Sequence, residues 1–153
     1  MMVQVMKGPK VFDSWNSDKK LIHFSEASPP YFKEREIWWC ALGVNVGVET
    51  DGKNDNFERP VLLLAGFNKE MAWVLPITSR SNKSRFYYPL EYEGQKQWII
   101  LSQIRTISTK RLLRKIRVLS EEEFGPIVNL IIGFLKKANE TPPDGGESRR
   151  PKP

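Results

Sequence analysis

Two apolar runs in the middle of the chain end on groups able to do chemistry. The run "RPVLLLAG" opens with Arg59-Pro60, "MAWVLPIT" closes on Thr78-Ser79, and the polar turn "FNKE" lies between them. If the runs are neighbouring strands, the turn brings the start of the first beside the end of the second, so a guanidinium meets hydroxyls. A guanidinium presents a planar fork of donors matched to phosphate or carboxylate, which a lysine point charge is not. It is a poor proton acceptor, since its pKa exceeds ~12. On residue types alone both ends are explicable without a ligand: Arg59-Pro60 as an exposed strand start whose proline blocks edge pairing, Thr78-Ser79 as a turn initiator.

Other chemistries find little support. The single cysteine, Cys40, excludes an internal disulfide, and with one histidine, His23, it leaves no recognisable zinc or transition-metal constellation. The expected chemistry needs neither metal nor cofactor. His23 would suit proton transfer near neutral pH, but it falls on an expected helix where a structural or merely exposed histidine is the plainer reading.

Charge is the next signal. The chain carries a net +6, and between Leu101 and Ser120 lie Arg105, Lys110, Arg111, Arg114, Lys115 and Arg117 with no acid among them. Arg80, Lys83 and Arg85 form a second cluster after Thr78. Such runs are either a solvated face or a phosphate-binding surface that gains affinity by releasing counterions. Phe86, Tyr87, Tyr88 and Trp98 are either stacking platforms for unpaired bases or core.

The elements that must position these residues follow from the pattern. At 153 residues the chain suits one core, domains commonly running to roughly 100–150 residues. No apolar run approaches the ~20 residues that span a bilayer, and the N-terminus lacks a secretory signal, so no membrane association and a cytoplasmic location are expected. Residues 1 to about 10 read as loose, and "FDSWNSDKKLIHFSE" as a helix capped by Asp13 or Ser14, interrupted by "ASPP". Strands are expected in "REIWWCALGVNV", "RPVLLLAG", "MAWVLPIT", "SRFYYPLEYE" and "QWIILSQIRTI". "STKRLLRKI" suggests a helical turn leading to a short strand at 115–118. "SEEEFGPIVNLIIGFLKKAN" is a helix with a capping box at Ser120 and Glu123, weakened or delayed by Gly125-Pro126. Together these predict a mainly β chain built as a small, strongly bent antiparallel sheet or barrel at residues 31–138. A partly helical extension at 1–30 precedes it, and a disordered tail at 139–153 follows.

The order of motifs resembles the MazF/PemK toxins of type II toxin–antitoxin systems. The similarity runs from about Arg35 to Leu135, through "REIWWCALG", "VETDG", "RPVLLL", "VLPITS" and "IILSQIRTISTKRLLRKI". It looks most like a PemK-type subgroup with an added N-terminal segment. The resemblance implies an SH3-like barrel of the MazF/CcdB type, a homodimer, a cognate antitoxin, and a metal-independent endoribonuclease acting on single-stranded RNA. In that mechanism the ribose 2′-hydroxyl attacks the adjacent phosphorus and leaves a 2′,3′-cyclic phosphate and a 5′-hydroxyl. It also implies that Arg59 and Thr78 are catalytic, gripping the scissile phosphate, and that Glu49, Ser79, Gln103 and Arg105 contact substrate; on residue type alone Glu49 reads equally well as a solvated loop acid, and Gln103 and Arg105 as groups holding the barrel end together. Thr50 stands where the family commonly has glutamine, and Ile100 and Ser102 stand where some members carry arginine and aspartate for proton transfer, which leaves the general base unassigned. Trp38, Trp39 and Trp73 either form crevices for an acidic antitoxin segment or are buried. Two other functions are compatible with the sequence: a non-catalytic single-stranded nucleic-acid-binding module, and a CcdB-like gyrase poison. The last is disfavoured by a tail without tryptophan.

Overall fold

The computed structural model describes residues 10–140. Expectations for residues 1–9 and 141–153 lie outside them. In chain order the elements are helix α1 (Phe12–Phe24), strands β1 (Glu36–Ala41), β2 (Glu58–Gly66), β3 (Met71–Thr78), β4 (Tyr87–Tyr92), β5 (Gln95–Ile100), β6 (Arg105–Ser108) and β7 (Leu112–Val118), and helix α2 (Glu121–Glu140). Single 3₁₀ turns at Leu101–Gln103 and Thr109–Arg111 flank β6. The pairings are antiparallel in the order β4-β5-β3-β2-β1-β7. β3 forks: its first half pairs β6, and its last residues, Ile77 and Thr78, pair Ile99 and Trp98 of β5. That fork, with register shifts in β1–β7 and β2–β3, curls the sheet into a half-barrel.

Side-chain alternation divides the core between the two faces of the sheet. Ile37, Leu62, Leu75, Ile77 and Ile99 join Ile127 of α2 on one face, where Phe124, Ile131 and Phe134 complete the cover. Trp38, Cys40, Val61, Leu63, Val74 and Ile107 fill the other. Burial among these side chains pushes the Cys40 thiol up to about 12, so it is an inert packing group.

Several expectations need correction. "QWIILSQIRTI" is not one strand, because the turn at Leu101–Gln103 lets β5 and β6 pair different stretches of β3. The final strand is longer than 115–118 and begins at Leu112; as an edge strand with an exposed face it needs little apolar alternation. α1 starts at Phe12 with Val11 at its N-cap and no side-chain cap, leaving Asp13 in the first turn to face the helix dipole. The capping box at Ser120 and Glu123 is present in both directions, at 3.2 and 2.8 Å. With Ile127 fully buried, α2 runs through Gly125-Pro126 from Glu121 and extends into the segment read as tail.

Buried Glu36, 6% exposed, joins β1 to β7. Its carboxylate accepts from Trp38 Nε1 (2.8 Å), the Lys33 amide (3.0 Å) and Lys115 Nζ (3.3 Å). Burial opposes its charge, yet these bonds outweigh that and hold it below its ordinary range. A depressed carboxylate contributes stability that is present above its unfolded value and lost as pH falls through the folded one. Urea unfolding from about pH 7 down to about pH 3 should therefore show stability falling at the acid end, and less steeply in Glu36→Gln. An equally steep fall in that variant would place the titration elsewhere.

Candidate active site

Arg59 stands at the start of β2, and Thr78 at the end of β3 lies across the hairpin from it. Two carbonyls fix the guanidinium: Nε donates to Asp51 O at 2.5 Å, and Nη1 donates to Ile77 O, next to Thr78, at 3.1 Å. The other N–H donors of the fork have no partner among the described residues. Burial lowers the Arg59 pKa while the charge of Asp51 pulls the other way, and the group stays cationic at neutral pH. Thr78 is 9% exposed, and its Oγ1 accepts from the Arg80 amide at 3.2 Å, so its own proton is free to be donated.

Arg59, Thr78 and Ser79 line one cleft of about 160 Å³ with Trp39, Lys53, Asn54, Glu58 and Gln97. Glu49, Gln103 and Arg105 line a second, of about 590 Å³. The clefts are neighbours, since Pro76 of β3 borders the second and Ile77 and Thr78 border the first. The six residues thus fall into two groups of three in adjoining clefts.

Within the second cleft, Gln103 is committed to the protein. Its Oε1 accepts from the Thr50 amide and hydroxyl at 2.6 and 2.7 Å, and its Nε2 donates to Val48 O at 3.0 Å, tying β6's approach to the loop before β2. Thr50 is therefore a partner of Gln103. Among the described residues the Arg105 guanidinium hydrogen-bonds Asn45 Oδ1 alone, at 3.4 Å, and Glu49 is exposed. His23 is exposed on α1, against Phe24, and lines neither cleft.

The basic run is mostly engaged. Arg114 makes a bidentate pair with Glu58 (2.9 and 3.0 Å), Arg117 meets Glu123, Arg111 donates to Ala41 O, and Lys110 donates to His23 O and Ser25 O. By contrast, Arg80, Lys83 and Arg85 are exposed in the loop leaving Thr78, without an ion-pair partner among the described residues. The loop carrying these three cations follows directly on Ser79, which lines the Arg59 cleft. Trp38 is buried, whereas Trp73 is exposed and Trp39 half-buried, its ring under the Arg114 guanidinium at 4.9 Å.

Sequence reasoning missed Glu58, Lys53, Asn54 and Gln97 as cleft walls. Only Glu58 carried a signal, an acid beside Arg59 in an apolar run. Among the described residues no helix is long and apolar enough to cross a membrane.

Comparison with known proteins agrees with this architecture. The crystal structure of MazF from Deinococcus radiodurans superposes with a TM-score of 0.58 at 16% identity, over 70% of this chain and 99% of that one. The MazE–MazF structure from the same organism gives 0.54 at 16% identity, over 70% and 98%. The chain has no match among curated proteins. The family model of the PemK-like, MazF-like toxin of type II toxin–antitoxin systems matches residues 33–135, and with most of its length so matched the chain belongs to that family.

Proposed function

We propose that the chain is the toxin of a type II toxin–antitoxin system and a cytoplasmic endoribonuclease, cutting single-stranded RNA by attack of the 2′-hydroxyl on the adjacent phosphorus. The observation that carries this reading is the placement of Arg59, pinned by Asp51 O and Ile77 O, beside the Thr78 hydroxyl in one open cleft. Arg59 presents its free N–H groups to the non-bridging oxygens of the scissile phosphate, and Thr78 donates a further hydrogen bond. Both interactions strengthen as charge builds on the phosphorane. Arg59 is already protonated at neutral pH and the Thr78 hydroxyl is too weak a base to take up a proton, so the work of both is alignment and charge stabilisation.

The loop bearing Arg80, Lys83 and Arg85 draws in the phosphate backbone, while Ser79 and the neighbouring cleft with Glu49 and Arg105 hold flanking nucleotides. Gln103 serves by shaping that cleft. A cognate antitoxin, as in the MazE–MazF pair of Deinococcus radiodurans, and a second copy of the chain complete the proposed assembly. Incubation with defined single-stranded RNA in chelator should yield fragments ending in 2′,3′-cyclic phosphate and 5′-hydroxyl. RNA retained by the protein but left whole would favour the non-catalytic binding module, and 3′-hydroxyl ends would overturn the proposed chemistry.

A further inference from the structure

Residues 10–32 precede the stretch matched by the family, yet they are built into the loop that holds Arg59. Lys10 enters the loop between β1 and β2. Its ammonium donates to Asn45 O, to Gly47 O at 3.2 Å and to Asp51 Oδ1 at 3.4 Å, and pairs with Asp51 Oδ2 at 3.2 Å. Three N–H groups on one nitrogen suit such a set of converging oxygens. Asp51 closes the ring, since its carboxylate also accepts from the Asn45 amide at 2.6 Å, while Asn45 Nδ2 donates to Leu42 O and Thr50 O.

The backbone carbonyl of Asp51 is the acceptor for Arg59 Nε. One residue therefore receives Lys10 on its side chain and Arg59 on its main chain. At the base of the same loop, Trp15 of α1 packs on Phe57 with ring centroids 5.5 Å apart. It also covers Gly43, where any Cβ would fall 2.0 Å from the indole. Trp15 thus holds the two ends of the loop and Lys10 its middle.

We propose that Lys10 is a positioning residue for Arg59, acting through Asp51 to hold the guanidinium in its cleft. Its effect on rate rests on the endoribonuclease reading; its effect on Arg59 does not. A single, partly solvated ion pair of this kind contributes little to global stability. Its consequence is local, because a displaced loop carries the Asp51 carbonyl with it and leaves the fork free to turn.

The test uses the full chain, unmodified and as Lys10→Met and Lys10→Arg. Nitrogen-15 spectra follow solvent exchange of the Arg59 Nε–H, single-turnover kinetics follow RNA cleavage, and thermal melts follow the fold. Lys10→Met should speed Nε–H exchange and lower the cleavage rate, each about tenfold, with RNA affinity changed less than about twofold. Lys10→Arg should recover most of both. Unchanged Nε–H exchange in Lys10→Met overturns the proposal, as does faster exchange with an undiminished cleavage rate. A rate loss that tracks a lowered melting temperature, with Nε–H exchange unaltered, makes Lys10 merely structural and also overturns it. If the unmodified protein leaves RNA uncut, the nuclease reading fails, and the Nε–H exchange still decides whether Lys10 positions Arg59.

Discussion

Arg59→Ala should lower the single-turnover rate of RNA cleavage about a thousandfold while leaving RNA binding within about threefold, the size of effect seen when one preorganised donor to a developing oxyanion is removed. The asymmetry follows from position. In the proposed function binding draws on the exposed cations at Arg80, Lys83 and Arg85, whereas the guanidinium of Arg59 is half-buried, held by two carbonyls, and lines a cleft of about 160 Å³. Arg59→Lys tests geometry against charge. An ammonium keeps the cation but cannot reach Asp51 O and Ile77 O while offering parallel N–H groups to the substrate, so most of the loss should persist. Thr78→Val keeps the shape and removes the donor, with an expected loss of about tenfold to a hundredfold. RNA with a 2′-deoxy substitution at the cleaved nucleotide should bind unmodified protein and stay intact. Cleavage by Arg59→Ala within about threefold of the unmodified rate would move the centre elsewhere.

How much of this was legible in the sequence depends on the distance over which each contact acts. The meeting of Arg59 and Thr78 was readable, because two apolar runs joined by a four-residue turn form a hairpin, and a hairpin places the first residues of one strand opposite the last of the other. The capping box at Ser120 and Glu123 was readable for the same reason, both partners lying within one helical turn. The cations after Arg105 were not. As a run without acids they resembled a bare polyanion site, but Arg114 and Lys115 meet Glu58 and Glu36 across strand pairings that no local pattern encodes. Gln103 was left open for a related reason. Its amide suits a base edge, and only the contacts from residues 48–50, in the loop before β2, show its oxygen accepting twice and one of its two N–H groups already used. The N-terminal segment, read as a separate extension, is likewise joined to the barrel by single residues, Lys10 and Trp15, that periodicity does not single out.

Trp15→Ala should be the most damaging substitution outside the sheet. It is the one buried residue of α1 among the described residues, at 5% exposure, while Phe12, Leu21 and Phe24 of the same helix are exposed. Its ring fills the space between Gly43, Phe57 and the Arg111 guanidinium, which lies 5.5 Å from the ring centroid. Truncating a buried tryptophan costs about 3–5 kcal/mol. Here most of that should appear as local undocking, because the two core clusters on the sheet do not include Trp15. Amides of α1 and of the loop from Gly43 to Phe57 should exchange at least about a hundredfold faster, with β2 and β3 affected far less. A companion substitution separates packing from backbone strain. In the unmodified chain Gly43→Ala introduces both a Cβ 2.0 Å from the indole and a side chain at a φ of +80°. In the Trp15→Ala background the clash is gone and only the backbone penalty, about 1 kcal/mol, remains. The double variant should therefore be markedly less damaged than the sum of the two single ones. Simple additivity would mean that Trp15 and Gly43 do not share the contact on which α1 docks.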